Sequence, residues 1–576
     1  MKDLGDFMTY NWDLTKIYQN KEDFYYDMTL VRDKIKKMNE HREFKVDGNS
    51  LYLLMKDCFE IREINSKTLL YASLNYYLDI NNDYYIKMKK QAEELDLFVN
   101  NETNYIDELL SIIDEDKLEE FYTECLDLSN YKYYIENIRR MSKHIINDNY
   151  DKLNDNILLK NKYLVEYNKL ISSMDFGSIN GIALNNSNVS SYLVDKNRDT
   201  RMISFDNINN AYIKMEDKYF DLFNNLVNVK KDISSCNKYN SVLESELFNE
   251  DINEKLINNL ISSVNKKIPL MNRYLDLKMK YLNIDNPRMY DINLSMVDIT
   301  DTYEIDKAMS IINKSLSILG KDYVKTVNLL FDNGCLDLQT NDRKHPTITF
   351  SWNTYTFMNY KDRYIDLKNL IHELGHIVNS YYSINKQDFI YSDSTVFTSE
   401  IMSLVNEILL NEYLYLNSKS KERKIFYLTK NIENFISQVF RQTLYTEFEN
   451  LVYNSKMLTL NDVNSGYLEL INKYYGNVIL IDESIKCEWM RVGHLFRWNY
   501  YVYKYAIGYI LAFNVIKKIK EDNSKYIDFI SSGACCSNVD MLKKLDIDLY
   551  DEDLIDNSFN LLEEYISLLE DLNEEK

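Results

Sequence analysis

The sequence predicts a mostly α-helical protein with at least two packed regions, and three observations lead to this prediction. The chain has 576 residues, well beyond the roughly 250–300 residues at which a single hydrophobic core stops growing. It contains only 3 Pro and 12 Gly, so residues that break helices are scarce. Its hydrophobic share of 45% and charged share of 27% are ordinary for globular proteins. Helices with short connections therefore explain the composition better than a turn-rich β protein.

The N-terminal third consists of segments with helical periodicity. In residues 51–64 and 106–118, apolar residues recur near every third or fourth position, which is typical of packed helices. A stretch rich in Gly, Ser and Asn, residues 172–191, interrupts the pattern and is a candidate joint or exposed loop. We therefore expect an N-terminal helical region, residues 1–190, followed by a second region, residues 191–576.

Strand signals are few and lie in the middle of the chain. Residues 243–282 are predicted to form two helices, with Pro269 near the start of the second. Alternating polar and apolar residues predict short strands at 290–296, 347–352 and 354–360. The last two strands come immediately before the most informative motif of the chain.

Charge and hydropathy exclude two classes of partner. The formal charge of −22 disfavours binding to nucleic acid or to an anionic membrane, because both need basic patches. The first residues carry acids and lead into no apolar run, so no signal peptide is expected. The most apolar long stretch, residues 500–516, is interrupted by Lys504 and Asn514 and predicts a buried helix rather than a membrane span.

The cysteines indicate neither a disulfide framework nor a zinc knuckle. Seven of them are scattered along the chain, an odd number without the CxxC spacing of a zinc site. Cys535 and Cys536 are adjacent, and we expect buried or idle thiols there. This cysteine usage and the missing leader predict a cytoplasmic protein.

Residues 370–378 contain an H-E-x-x-H motif within an apolar sequence of helical period. His372 and His376 are four residues apart, so on a helix both imidazoles point to one face and can reach one ion. Glu373 lies one residue round from the first histidine, where it can act as a general base on the metal's water. Such a motif predicts one catalytic Zn²⁺ per chain, which needs a third protein ligand and an open position.

The third zinc ligand is predicted to be Glu400. A pattern with a third histidine six residues after the second is excluded, because that position is Tyr382. The other acids that follow the motif include Asp388, Asp393 and Glu407. Glu400 lies on a predicted helix that begins in the Ser/Thr-rich run 392–399, and a helix beside the first presents a carboxylate rigidly. The alternatives are an ordinary exposed carboxylate and a helix with two surface histidines.

Two segments together resemble a known family. Residues 372–376, followed by E-x-x-S-x-x-N-E from Glu400, are similar to the thimet oligopeptidase family of zinc metallopeptidases, and within it to the oligoendopeptidase F type. In that family the helix after the histidines supplies the third zinc ligand, which maps onto Glu400. Weaker similarity, in residues 11–15, 273–275 and 290–291, extends the resemblance over nearly the whole chain.

The resemblance also implies roles near the C-terminal end. Residues 494–508 resemble a family segment in which a histidine and a Y-V-Y-x-Y-A-x-G helix face the substrate, which maps onto His494, Tyr501 and Tyr505. The two tyrosines are four residues apart and are expected to share a helical face. A neutral phenol can donate a hydrogen bond to a developing oxyanion. The alternative is an aromatic core helix.

The fold implied by the resemblance is a helical ellipsoid with a deep substrate channel and a small β-sheet near the zinc site. The N-terminal helical region, residues 1–190, would form part of the channel wall, and residues 191–576 would be the catalytic zinc metallopeptidase domain. The implied activity is that of a zinc-dependent endopeptidase that hydrolyses short unstructured oligopeptides through a zinc-activated water, with Glu373 as general base. Residues 354–360 are expected to offer a strand edge to an extended peptide.

Three alternatives to an endopeptidase stay open. A metallocarboxypeptidase of similar fold would carry the same motif. A non-catalytic, zinc-containing peptide-binding protein would need no glutamate beside the ligand histidine, so Glu373 argues against it. A helical scaffold with a chance motif would bind no zinc at all. Zinc content and the products from an end-blocked peptide separate these possibilities.

Overall fold

The structure is a computed structural model, and it confirms the mostly helical prediction. It describes residues 11–40, 47–144, 150–341, 343–344, 349–551 and 553–574. Helical residues make up 74% of the protein, and the strands are short.

The elements are numbered in chain order. Up to residue 300 they are α1 (Lys21–Glu40), α2 (Gly48–Leu78), α3 (Asp83–Ile112), α4 (Glu115–Glu124), α5 (Lys132–Ser142), α6 (Tyr150–Ser172), β1 (Ser178–Ile179), β2 (Ile182–Ala183), α7 (Val189–Tyr192), α8 (Arg198–Ile213), α9 (Glu216–Cys236), α10 (Val242–Asn249), α11 (Glu254–Lys266) and α12 (Ile268–Tyr281).

Beyond residue 300 they are α13 (Ile305–Ser315), α14 (Lys321–Asp332), β3 (Leu336–Asp337), β4 (Phe350–Trp352), β5 (Tyr355–Phe357), α15 (Tyr364–Lys386), α16 (Val396–Asn417), α17 (Lys421–Phe435), α18 (Arg441–Asn454), α19 (Leu460–Tyr475), α20 (Gly493–Arg497), α21 (Tyr503–Glu521), α22 (Tyr526–Ile530), α23 (Asn538–Lys543) and α24 (Asp553–Glu574). A π-helical segment, Ile436–Phe440, joins α17 to α18, and a 3₁₀ helix, Glu483–Arg491, precedes α20.

The chain divides into two compact units, each assembled from three separate stretches. Unit 1 comprises Met1–Lys143, Asp301–Leu410 and Lys518–Leu545. Unit 2 comprises His144–Thr300, Asn411–Lys517 and Asp546–Lys576. The predicted division at residue 190 separates two consecutive stretches of sequence, whereas each of these units combines three stretches. It stays a prediction about the functional regions of the chain.

The N-terminal helices of unit 1 share one apolar core. Buried side chains from α1 to α5 meet there, among them Val31, Met55, Val99, Phe121 and Ile135. Each large apolar side chain that is fully buried stabilises the fold by about 1.5–3 kcal/mol. The helical periodicity of the N-terminal sequence therefore reflects a common buried face.

Side-chain caps set the ends of these helices. Asp47 and Ser50 form a capping box at the start of α2, because each side chain accepts a hydrogen bond from the other's backbone N–H. The carboxylate of Asp114 accepts from the N–H of Asp116 and starts α4. The periodic segment 106–118 is therefore not one helix, since α3 ends before this cap.

The small sheet of unit 1 has the strand order β3-β5-β4, with β3 parallel and β4 antiparallel to β5. The indole N–H of Trp12 lies 3.0 Å from the carbonyl oxygen of Cys335 and 2.8 Å from that of Thr356, so it holds β3 and β5 together. The expectation that residues 354–360 offer a free strand edge is wrong, because β5 is paired on both sides. Residues 347 and 348 of the other predicted strand lie outside the described residues.

The strand predicted at residues 290–296 is also wrong. The chain forms a 3₁₀ turn at Met289–Asp291. Asp291 is buried and accepts hydrogen bonds from the guanidinium groups of Arg198 and Arg201. The alternating polar and apolar residues therefore belong to a turn that buries Asp291. A buried charge needs partners of opposite charge, and the two arginines supply them.

Two further expectations concern helices. Residues 243–282 form three helices, α10 to α12, rather than two, because Asn253 caps α11 and Pro269 lies in the first turn of α12. The apolar stretch 500–516 contributes to α21, which is largely buried, as predicted. Within the described part of the chain, no helix is long and apolar enough to cross a membrane.

Unit 2 has an aromatic core. The ring of Phe223 on α9 lies 4.9 Å from that of Trp489 and 5.0 Å from that of Phe496. The indole N–H of Trp489 donates to Asn464 at 2.9 Å, so its one polar atom is satisfied although it is buried. This core fixes the short helix α20, which carries Phe496.

Candidate metal centre and aromatic cluster

Helices α15 and α16 of unit 1 bring three predicted ligands together. His372 and His376 lie on α15 and Glu400 lies on α16, and one ligand atom from each lies within 4.8 Å of the others. The two Nε2 atoms are 3.2 Å apart, and His372 Nε2 lies 3.9 Å from a carboxylate oxygen of Glu400. Ligands at about 2.0–2.1 Å around a tetrahedral zinc ion lie roughly 3.3 Å apart. The two nitrogens and one carboxylate oxygen therefore fit zinc and leave one position open.

A glycine permits the close approach of these two helices. A Cβ atom added at Gly375 would lie 2.7 Å from the Cα and 2.9 Å from the backbone nitrogen of Ser403. No other residue fits there without a shift of backbone. The side-chain amide of Asn406 donates to the carbonyl oxygen of Ile371 at 3.2 Å and adds a second link between α15 and α16.

Glu407 orients the first histidine. Its carboxylate lies 2.7 Å from Nδ1 of His372 and 3.0 Å from the ammonium group of Lys368. Burial acts to raise the pKa of Glu407, but Lys368 and His372 outweigh it and hold that pKa below its ordinary value. A carboxylate that accepts the Nδ1–H leaves Nε2 free to face a metal. From sequence, Glu407 was only one of the acids that follow the histidine motif, although it is the last residue of the E-x-x-S-x-x-N-E pattern.

Glu373 lies next to the ligand cluster and is only 8% exposed. Burial raises the pKa of its carboxyl group. The hydroxyl of Ser351 donates to Oε2 of Glu373 at 2.6 Å and is itself 2.8 Å from the hydroxyl of Thr356. The small sheet therefore positions the candidate base through Ser351, a contact that no local sequence pattern revealed.

The other three predicted site residues form a cluster with one another in unit 2. The ring centroids of Tyr501 and Tyr505 are 5.4 Å apart, and those of His494 and Tyr505 are 5.7 Å apart. The hydroxyl of Tyr505 lies 3.4 Å from Nε2 of His494. Trp498, 46% exposed, packs its ring 5.2 Å from that of Tyr501. We call these four residues the aromatic cluster.

Two details of the aromatic cluster bear on its chemistry. Burial, with a smaller effect from Arg497, lowers the pKa of His494 and favours a neutral ring. Tyr501 precedes α21, which begins at Tyr503. The expectation that both tyrosines share a helical face is therefore wrong, although their rings do meet.

Buried ionisable groups hold the segment that carries the aromatic cluster. Tyr500 is buried and has a φ of 42°, an unfavourable backbone conformation for a bulky residue. Its N–H donates to the carboxylate of Glu449 at 2.7 Å. The ammonium group of Lys230 donates to the carbonyl oxygen of Trp498 at 3.1 Å. The surroundings thus fix a conformation that the segment alone would avoid.

An ion cluster anchors the 3₁₀ helix that leads into α20. The carboxylate of Glu488, 5% exposed, pairs with Arg441 and Arg491. It also accepts a hydrogen bond from the hydroxyl of Tyr467 at 2.9 Å. Burial alone would raise the pKa of Glu488, but the two arginines lower it to about 2.

Comparisons with known proteins agree with this architecture. The sequence model of peptidase family M3 matches residues 191–561, and that of Oligopeptidase F matches residues 108–153. Oligopeptidase PepF of Bacillus subtilis (strain 168) is 29% identical over 97% of this chain and 87% of its own length. An oligoendopeptidase F homolog of Borreliella burgdorferi is 28% identical over 96% of each chain.

Solved structures share the fold. A protein of Chlamydophila abortus with a provisional peptidase assignment superposes with a TM-score of 0.89, at 26% identity and 98% coverage of both chains. Oligoendopeptidase-F of Enterococcus faecium gives a TM-score of 0.70 at 22% identity, over 96% of this chain and 100% of that chain. At that identity the second likeness supports the fold alone.

Proposed function

This chain belongs to peptidase family M3 and is a metalloendopeptidase, and we propose that it uses zinc to hydrolyse short unstructured oligopeptides. One observation carries the proposal. The ligand atoms of His372, His376 and Glu400 converge within 4.8 Å, and the carboxyl group of Glu373 interacts electrostatically with His372 and Glu400. A structural zinc site is closed by four protein ligands, whereas three ligands beside an acid suit catalysis.

In the proposed mechanism His372, His376 and Glu400 hold one Zn²⁺. When bound, zinc would lower the pKa of a water molecule to about 7 and polarise the scissile carbonyl group. Glu373 accepts the proton of the attacking water and later delivers it to the leaving amine. The raised pKa of Glu373 supports this role, because a base whose pKa approaches the working pH both accepts and releases the proton.

The aromatic cluster is proposed to stabilise negative charge on the substrate. The hydroxyls of Tyr501 and Tyr505 donate hydrogen bonds to the oxygen that gains charge during attack. His494 is proposed to orient the Tyr505 hydroxyl, which lies 3.4 Å from its Nε2. A neutral imidazole suits that role, since its nitrogen can accept from the phenol.

We further propose that the peptide main chain pairs with β4. The N–H of Thr356 on β5 donates to Cys335 on the β3 side. Because N–H groups alternate along a strand, β5 pairs with β4 through Tyr355 and Phe357. The main-chain groups of Ser351 therefore point away from β5, and no other described strand pairs with that edge. An extended peptide adds to such an edge through main-chain hydrogen bonds.

Peptides with single N-methylated amides test this pairing without changing the protein. Methylation at one amide near the scissile bond removes a donor and is expected to raise KM by about 5–10-fold, as loss of one hydrogen bond does. Methylation at the neighbouring amide, whose N–H faces away from the strand, serves as the control. An equal effect at every position would exclude strand pairing.

Cleavage of an internally quenched, end-blocked peptide tests the function itself. We expect internal cleavage, with about one zinc ion per chain. Products only from a peptide with a free carboxyl terminus would identify a carboxypeptidase instead. One zinc ion without cleavage of any peptide would identify a binding protein, and a protein without zinc would exclude the proposed centre. A cytoplasmic location remains part of the proposal.

A further inference from the structure

Cys535 and Cys536 differ from the other cysteines in exposure. All seven cysteines lie in the described part of the chain, and these two are partly exposed whereas five are buried. Burial raises the pKa of the thiols of Cys58, Cys335 and Cys487 to between about 11 and about 12. Buried protonated thiols are inert. An oxidant is therefore expected to react first with the thiols of Cys535 and Cys536.

The two thiols contact each other beside two lysines. Cys536 donates a hydrogen bond to the sulfur of Cys535, and this bond is the main cause that lowers the pKa of Cys535 to about 6. Partial burial opposes that shift, whereas Lys544 and Lys386 add to it. The pKa of Cys536 is raised in turn, first by the same hydrogen bond. The contact thus favours ionisation of the Cys535 thiol and retention of the proton on Cys536.

These thiols lie in the connection between α22 and α23 of unit 1. We call residues 530–538, which include the last residue of α22 and the first residue of α23, the cysteine loop. The loop contacts α15, because the side-chain amide of Asn379 donates to the carbonyl oxygen of Ile530 at 2.6 Å. Asn379 is buried and lies three residues, less than one helical turn, beyond His376. A shift of the loop at this point therefore acts on the helix that carries both histidines.

The cysteine loop also contacts the start of α16. The hydroxyl of Thr395 donates to the side-chain carbonyl of Asn538 at 2.7 Å, and Thr395 lies five residues before Glu400. The N–H of Ala534 donates to the carbonyl oxygen of Tyr391 at 2.9 Å. The loop thus ties together the two helices that supply the three candidate metal ligands.

We propose that Cys535 and Cys536 form a peroxide-sensitive dithiol whose oxidation to a disulfide weakens metal binding at His372, His376 and Glu400. The thiolate of Cys535 attacks hydrogen peroxide, so that an S–O bond forms, the O–O bond breaks and hydroxide leaves. The thiol of Cys536 then attacks the sulfenic sulfur. The S–S bond forms, the S–O bond breaks, and the departing oxygen takes up a proton and leaves as water. Two electrons pass from the two sulfurs to the peroxide.

Backbone strain connects this reaction to the metal centre. Adjacent Cα atoms are about 3.8 Å apart across a trans peptide, whereas disulfides usually join Cα atoms about 4.4–6.8 Å apart. Closing the ring therefore distorts the peptide between the cysteines. The loop has little room to absorb the change, since a Cβ atom added at Gly533 would lie 1.9 Å from the carbonyl oxygen of Tyr391. A strained disulfide is easily reduced, so the change is reversible.

The test compares reduced and peroxide-treated protein in two measurements, peptide mapping of the disulfide and competition for zinc with a chelator. In the wild type we expect a Cys535–Cys536 disulfide and about 10-fold weaker zinc binding, comparable to loss of a group that supports a ligand. A dithiol reductant is expected to restore both values. The variant Cys536→Ser can form only the sulfenic acid and is expected to retain its zinc affinity, as is Cys535→Ser. Cys58→Ser, which removes a buried thiol, is expected to respond like the wild type.

Three results would overturn the inference: no disulfide at the pair, a disulfide that leaves zinc affinity unchanged, or equal loss of zinc from Cys535→Ser and Cys536→Ser. The inference rests on the proposed zinc centre, and the reduced wild type tests that centre separately. If the reduced protein binds no zinc, the proposed function fails. If it binds zinc and oxidation changes nothing, only the role of the cysteines fails.

Discussion

The candidate metal centre and the aromatic cluster are built in different ways. The metal ligands lie on two long helices, where a spacing of four residues already places His372 and His376 on one face. The aromatic cluster lies on the five-residue helix α20, the bent segment after it and the first turn of α21. Its backbone is held by Lys230 and Glu449, whose positions in the sequence are more than 40 residues from the segment they hold.

This contrast shows that a local sequence can specify the relative positions of side chains on one helix, but not a segment that distant residues hold in place. Helical periodicity places both histidines of the metal centre on one face of α15, so most of the geometry of that centre is local, and Glu407 adds to it through its contact with His372. The aromatic cluster depends on charges removed from water and on a backbone conformation at Tyr500 that the surroundings impose. We therefore expect substitutions at the metal centre to affect metal binding and activity only. Substitutions around the aromatic cluster are expected to lower the stability of the fold as well.

Removing a metal ligand should have the largest effect. Glu400→Ala or His376→Ala leaves two protein ligands, so we expect loss of bound zinc and of all measurable cleavage. Metal analysis after gel filtration, with a peptidase assay, checks this expectation. His144→Ala is the matched control, because His144 stacks on Tyr239 with ring centroids 3.9 Å apart, outside the centre. Retention of one zinc ion by Glu400→Ala would remove Glu400 from the ligand set.

Removing one hydroxyl from the aromatic cluster should lower turnover without affecting the metal. Tyr505→Phe is expected to reduce kcat by about 10²–10³-fold, the usual loss of an oxyanion donor, with KM and zinc content unchanged. Tyr503→Phe is the control, since its buried hydroxyl has no hydrogen-bond partner among the described residues. If both variants lose kcat equally, the effect is one of packing rather than of hydrogen bonding to the substrate.

The ion cluster at Glu488 should make the surroundings of the aromatic cluster sensitive to acid. The folded-state pKa of Glu488, about 2, lies below its ordinary value of 4.5. Its contribution to stability is therefore complete above about pH 4.5 and is lost as the pH falls towards 2. Glu488→Gln is expected to lower the free energy of unfolding at pH 7 by about 3 kcal/mol. The dependence of its Tm on pH between 4.5 and 2 should also be shallower.

Glu483→Gln is the control for this measurement, because Glu483 lies in the same 3₁₀ helix and its side chain is 78% exposed. An exposed ion pair contributes about 0–1 kcal/mol, so little change is expected. Thermal unfolding of both variants across the pH range distinguishes the buried pair from the exposed one. An acid response in Glu488→Gln identical to that of the wild type would assign the pH dependence to other carboxylates.

Glu407→Gln tests how far the metal centre depends on its surroundings and should have the smallest effect. The amide still reaches Nδ1 of His372 but loses its charge and its ion pair with Lys368. We expect zinc affinity to fall by about 10–100-fold, measured by chelator competition, with the fold unchanged. An unchanged affinity would show that helical geometry alone orients His372.

Features that depend on local periodicity could be predicted from the sequence, whereas features that depend on contacts between distant residues could not. The helical fold class and the residues that converge at the metal centre followed from periodicity and spacing. The edge role of residues 354–360 was wrong because strand order depends on β3, a partner that precedes it by almost 20 residues. Ser351 and Lys230 were missed, since their contacts with Glu373 and Trp498 join positions 22 and 268 residues apart.

Glu373→Gln, analysed for both zinc and peptide cleavage, tests the central claim most directly. The substitution keeps the size of the side chain and an acceptor for the hydroxyl of Ser351, but it removes the base. We expect one zinc ion per chain, as in the wild type, and a loss of kcat of about 10²–10⁴-fold. A variant that still cleaves peptides at the wild-type rate while it holds its zinc would show that Glu373 is not the general base.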